Sequence, residues 1–113
     1  MNKKYKVQWT FNAKEDLLNI VDYIKQESVE NARKVYKQIK EKAHSSNFFP
    51  LRGRVVPELQ KAGITTFREL LVNRWRIVYQ VRGNSVYIMA IFDSRQNIED
   101  ILLEKILKNK RHL

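Results

Sequence analysis

The chain has 113 residues, 43% of them hydrophobic, which is enough apolar material for one core and points to a single domain over 1–113. Its 22 Lys and Arg against 12 Asp and Glu give a formal net charge of +10, a surplus that favours something acidic as a partner: nucleic acid, an acidic protein or an anionic surface. The lack of cysteine excludes disulfides, thiolate nucleophiles and cysteine-bound zinc.

The N-terminal stretch MNKKYKVQWTF is basic and meets no apolar run of signal-peptide length, and no segment approaches a membrane span. The expectation is a soluble cytoplasmic protein with no membrane partner. Residues Tyr5 to Trp9 alternate and are rich in β-formers, which predicts a short first strand. Asn12 with Glu15 three residues on has capping-box spacing. Ala13, Leu17, Ile20, Val21 and Ile24 then recur at helical intervals, predicting a helix that ends near Glu27. Ser28 can cap a second helix, whose apolar stripe is Ala32, Val35, Tyr36, Ile39 and Ala43. With almost no linker between them, the two helices should form an antiparallel hairpin.

Pro50, Gly53, Pro57 and Gly63 break the pattern from Ser45 to Thr66, which reads as a loop, with Phe48 and Phe49 anchoring its start in the core. A second strand runs from Phe67 to Val72, Asn73 marks a turn, and a third runs from Arg74 to Val81. Gly83-Asn84 makes a tight connection to a fourth, Val86 to Phe92. In the third strand Ile77, Tyr79 and Val81 point one way and Arg76, Val78 and Gln80 the other. That alternation turns Arg76 away from one packed layer and towards the surface. Asp93 or Asn97 can start a last helix with the apolar face Ile98, Ile101, Leu102 and Ile106 and the basic end Lys105, Lys108, Lys110 and Arg111. The predicted fold is α+β in the order β-α-α-β-β-β-α: an N-terminal helical hairpin on a mainly antiparallel four-stranded sheet, with a C-terminal helix.

The chemistry in this pattern is cationic. Between Arg52 and Arg82 lie Arg52, Arg54, Lys61, Arg68, Arg74, Arg76 and Arg82 against only Glu58 and Glu69. Arginine presents a planar fork that grips phosphate or carboxylate through two bonds, so the stretch reads either as an anion-binding face or as a solvated sheet surface. If the strands register suitably, Arg68, Arg76 and Arg95 converge on one patch. Other constellations are poor. His44 and His112 stand apart without metal-ligating company, and no nucleotide-binding glycine fingerprint occurs, so neither a metal nor a cofactor is expected. Glu58 is a weak candidate base. Asp93 reads as a helix cap or a partner of Arg95. Trp9 and Trp75 read as packing residues.

The segments FPLRGRVVPEL, FREL, RWRIVYQV and VYIMAIFDSRQNIEDIL, from about Phe48 to Leu107, resemble the RelE/ParE family of bacterial type II toxin–antitoxin toxins. The resemblance implies a toxin of the kind found in plasmid-stabilisation modules, held inactive by a cognate, acidic antitoxin. RelE-like members are ribosome-dependent mRNA endonucleases; ParE-like members poison DNA gyrase. By similarity, Arg68, Arg76 and Arg95 fall where the RelE branch carries basic residues, and they would be catalytic only in that branch. Leu70 and Ile101 fall where that branch would place a lysine and a tyrosine, and neither can move a proton. The run Gly53-Arg54-Val55-Val56-Pro57-Glu58 is more like the ParE side. The expected function is thus ParE-like inhibition of gyrase. The alternatives are a RelE-like mRNA endonuclease acting with ribosome and mRNA, and a harmless basic nucleic-acid-binding module. Candidate contacts for target or antitoxin are Arg52, Arg54, Glu58, Arg68, Arg74, Arg76, Arg95, Lys105 and Lys108.

Overall fold

The computed structural model describes residues 4–45 and 50–95. Phe48, Phe49 and the predicted C-terminal helix, with Ile98, Ile101, Leu102, Lys105, Ile106, Lys108, Lys110 and Arg111, lie outside the described residues, as do Asn97 and His112. The elements are β1 (Lys6–Trp9), α1 (Phe11–Lys25), α2 (Val29–His44), β2 (Arg54–Val55), α3 (Pro57–Lys61), β3 (Phe67–Val72), β4 (Trp75–Arg82) and β5 (Ser85–Asp93).

The sheet has five strands in the order β1-β5-β4-β3-β2, not four. β1 runs parallel to β5, and the remaining pairs are antiparallel. The additional strand, β2, and α3 both come from the stretch read as a loop. Two residues of strand and five of helix are too short to show a period of 2 or 3.6, so only Pro57, at a helix's first turn, signalled order there.

Two hairpins build the centre. Val72 pairs with Trp75 across Asn73, whose φ of 52° is the left-handed conformation that asparagine tolerates. Arg82 pairs with Ser85 across Gly83, at φ +57°. The sheet separates two apolar clusters. On one face α1 and α2 pack Ala13, Leu17, Ile39 and Ala43 against Leu70, Trp75, Ile77, Tyr79, Ile88 and Ile91. On the other, Val56 and Leu59 cover Phe67, Val78, Met89, Ala90 and Phe92. The helices therefore cover both faces unequally, the hairpin on one and the single turn of α3 on the other.

The N-terminal cap of α1 is Thr10, not Asn12: the Ala13 amide donates to Thr10 Oγ1 at 3.2 Å. Asn12 is already helical and buried, and its side-chain amide donates to the Met89 carbonyl at 3.2 Å. The pairing of β4 with β5 shifts register between Val78 and Tyr79, a bulge that leaves Met89 without an opposite residue. Thr10 and Asn12 both donate to the Met89 carbonyl, and Asp16 accepts from the Ile91 amide at 3.0 Å. The bulge is thus stitched to the first turns of α1 by buried hydrogen bonds. Ser28 caps α2 as expected, accepting from the Asn31 amide at 3.1 Å.

Candidate functional site

The arginines of the sequence pattern do not converge. Strand alternation puts Arg68 opposite Tyr79, on the face covered by the helical hairpin, and Arg76 opposite Leu71, on the face covered by α3. Arg95 lies beyond the end of β5. Three separate groups result.

The first group lies beneath α3. Arg76 is buried, with a side chain only 7% exposed, and it donates to two carboxylates. Its Nη1 and Nη2 grip both oxygens of Glu58 at 2.9 and 2.6 Å, and its Nε donates to Glu69 Oε1 at 2.7 Å. Glu69 is fully enclosed and also accepts from Arg54 Nε at 2.5 Å. This corrects the expectation that Arg76 is a surface charge. The residue does face away from the hairpin layer, but α3 and β2 cover that second face. The Arg76 guanidinium holds the Glu58 carboxyl down at about pKa 2, and the two carboxylates push Arg76 further up. A carboxylate held that low is a poor proton acceptor near neutrality.

The second group ties the segment before β2 to the sheet. Arg68 Nη1 donates to the Gly53 carbonyl at 2.8 Å and, less closely, to the Leu51 carbonyl. Tyr79 donates its hydroxyl to the Pro50 carbonyl at 2.6 Å and accepts from the Gly53 amide at 3.0 Å. Burial pushes the Tyr79 phenol up, so it stays protonated as a donor. A Cβ at Gly53 would stand 2.5 Å from both the Glu69 carbonyl and the Tyr79 hydroxyl, so no larger residue fits without displacement. Arg52, exposed, donates to Ser45 Oγ at 2.8 Å.

The third group sits where β4 begins and β5 ends, beside the helical hairpin. Arg95 Nη2 lies 2.9 Å from Asp93 Oδ2, and Arg74 Nε 3.5 Å from the same oxygen, so Asp93 is the ion-pair partner of Arg95; its Oδ1 also accepts from the Arg95 backbone amide at 2.9 Å, and the helix it was expected to start lies outside the described residues. Arg95, through its hydrogen bonds, lowers the Asp93 pKa. The Arg74 guanidinium stacks over the Trp75 ring at 4.5 Å to the centroid. Here Arg74, Trp75 and Arg95 line an open groove of about 550 Å³ with Tyr23, Lys34 and Gln38 from the hairpin.

Of the predicted contacts, Arg52, Arg54 and Arg95 are exposed, Glu58, Arg68 and Arg74 are half-buried, and Arg76 is buried. Lys105 and Lys108 lie outside the described residues. Glu69 and Tyr79 were missed as organising groups. The Asn73 turn fixes Leu71 opposite Arg76, which puts Glu69 on the same face one step further along, so Glu69 was within reach of register reasoning. Among the described residues no group of three His, Asp or Glu side chains is placed to hold a metal ion, and no helix is long and apolar enough to cross a membrane.

Residues 7–98 match a family model described as the ParE toxin of the type II toxin–antitoxin system parDE. No curated protein matches. Among solved structures the chain is similar to one from a chromosomal ParDE toxin–antitoxin system of P. aeruginosa, with TM-score 0.68 and 22% identity over 80% of this chain and 97% of that one. It is also similar to one from the toxin–antitoxin complex RelBE2 of Mycobacterium tuberculosis, with TM-score 0.60 and 19% identity over 82% of this chain and 97% of that one. At such identities these two likenesses are ones of fold.

Proposed function

The chain belongs to the ParE toxin family of type II toxin–antitoxin systems, and from that premise we propose that it arrests growth by inhibiting DNA gyrase and is neutralised by a cognate, acidic antitoxin. The observation that carries the choice of target is the closed network of Arg76, Glu58 and Glu69. Cleavage of RNA through its 2′-hydroxyl needs a base, an acid and cations facing one phosphate. Here the cation is spent on two carboxylates, the carboxylates are spent on it, and Arg68 is committed on the opposite face of the sheet. Leu70, where a proton-moving side chain would be needed, is packed in the core under the helical hairpin. A gyrase inhibitor needs a recognition surface instead, and the exposed Arg52, Arg54 and Arg95, with the half-buried Arg74, remain available for one.

The antitoxin contact combines charge and apolar area. Phe11 and Leu18, a heptad apart on α1, are 70% and 56% exposed, a pairing suited to an apolar partner segment. Apolar burial there would set the lifetime of the complex, and the +10 charge its association rate. Arg76 drops out as a direct contact because it is enclosed.

The test is a paired assay with the purified full chain. Supercoiling by gyrase should stop, with cleaved DNA complexes accumulating, and mRNA on programmed ribosomes should stay intact. Codon-positioned cuts in that mRNA with gyrase unaffected would reverse the assignment. Growth of inducing cells at the normal rate would favour the harmless binding module.

A further inference from the structure

The outer side of α2 next to β1 carries a second cationic surface, separate from all three arginine groups. With about 100° between successive residues, Arg33, Lys37, Lys40 and His44 fall on one line along the helix. All four are exposed. Tyr36 flanks the line on the side nearest the sheet, so a sector of roughly 100° holds Tyr36, Val29, Lys40, Arg33, His44 and Lys37 and no acid. The nearest acids, Glu30 and Glu41, lie beyond its edge, and Glu30 faces Lys34 at 3.9 Å.

β1 completes the surface. Lys40 Nζ stands 4.8 Å from the centre of the Trp9 ring and 6.0 Å from that of Tyr36. The two rings hold the most central cation in place, which lowers the entropy lost when it meets an anion. Val7, Trp9, Lys40, Glu41 and His44 line a shallow depression of about 360 Å³ beside it.

We propose that this face of α2 and β1 binds the phosphate backbone of a duplex nucleic acid. From Arg33 to His44 the row is about 16 Å long, given 1.5 Å of rise per residue. Successive phosphates of one strand wind around the duplex while rising roughly 3.4 Å each along its axis, so a straight row of this length meets about three of them. Single-strand binding requires aromatic faces free to stack on bases. Trp9 is instead covered by Lys40 and packed at the edge of the core, which favours a duplex. Two of the four are lysines, whose point charges suit phosphates without reading sequence. Val29 and Tyr36, 54% and 41% exposed, give an acidic protein segment some apolar area, so such a segment is the competing occupant that the test separates from a duplex. The inference goes beyond the gyrase assignment and does not depend on it.

The experiment uses the full chain and a labelled 20-base-pair duplex titrated at several salt concentrations, with DNA and RNA versions in parallel. The variant Arg33→Gln/Lys37→Gln/Lys40→Gln is compared with a charge-matched control, Lys14→Gln/Lys25→Gln/Lys61→Gln, whose positions are equally exposed. Each phosphate contact contributes about −0.9 to the slope of log affinity against log salt. The face variant should therefore lose about 2.7 from that slope and bind at least ~tenfold more weakly at 0.1 M salt. The control should keep its slope, and both should melt as the parent does. Equal losses in the two variants would reduce the effect to net charge and overturn the proposal. So would the absence of saturable binding to either duplex, or a face variant that still binds duplex but no longer captures an acidic partner protein.

Discussion

Two clusters of arginine and carboxylate, close together along the same central strands but on different sides of the sheet, use the same chemistry to different ends. Beneath α3, Arg76 and Glu69 are enclosed and satisfy one another, with Arg54 and Glu58 closing the network from the rim. On the hairpin side, Arg74 and Arg95 share Asp93 in contact with solvent, and the Arg95 side chain is 69% exposed. A buried ion pair costs desolvation and is locked by it, because removing one partner strands the other. An exposed pair is screened, adds little to stability and stays free to exchange partners. The lesson is that arginine count does not mark a binding surface; what covers each arginine does.

The sharpest break of that contrast is Arg76→Ala. It leaves Glu69 charged and enclosed with Arg54 at the rim as its remaining ion-pair partner, and Glu58 without its guanidinium, so unfolding by denaturant should register a loss of about 3–5 kcal/mol. A loss under about 1 kcal/mol would show that water reaches the network and that the two clusters are alike.

Acid sharpens the comparison. Folding lowers the Glu58 pKa from 4.5 to about 2 through its bonds with Arg76. The unfolded chain therefore binds the extra proton first, and the stability contributed by the pair is full above pH 4.5 and drains away as pH falls towards about 2. Thermal melts across that window should fall more steeply for the parent than for Glu58→Gln. Parallel curves would mean that the pair does not form in solution.

The smallest effect on folding is expected at the exposed cluster. Arg95→Ala should leave the melting temperature unchanged while weakening growth inhibition on induction, with the antitoxin-bound yield as a check on expression. A melting temperature that falls with activity would make Arg95 structural, like Arg76.

Much of this arrangement was legible in the sequence, and the exceptions have physical causes. The helical hairpin, the cap at Ser28 and the turns at Asn73 and Gly83 follow from local periodicity and backbone chemistry, and each stands in the structure. The site was less legible. Alternation said that Arg76 points away from the hairpin, but not that a two-residue strand and a five-residue helix would roof that side. The parallel partnership of β1 with β5 joins segments nearly eighty residues apart and leaves no local trace. The true cap of α1 was hidden for a related reason. Asn12 is drawn into the helix by the Met89 carbonyl at the bulge, a tertiary contact that no window around residue 12 contains.

That long-range partnership sets an order of events at the chain's birth. Lys6 pairs with Ser85 and Trp9 with Ile88, so among the described residues the sheet partner of the first strand is made nearly eighty residues after it. At about 5–20 residues per second, translation needs roughly 4–16 s to span that interval. During it, the apolar faces of α1 and α2 have only each other to cover them. The β3-β4-β5 meander can close as it emerges, since its contacts are local, whereas docking of β1 must wait and carries the entropy of the longest loop in the fold. The edge of the sheet nearest the N-terminus is consequently the last to form, although it is the first to be synthesised.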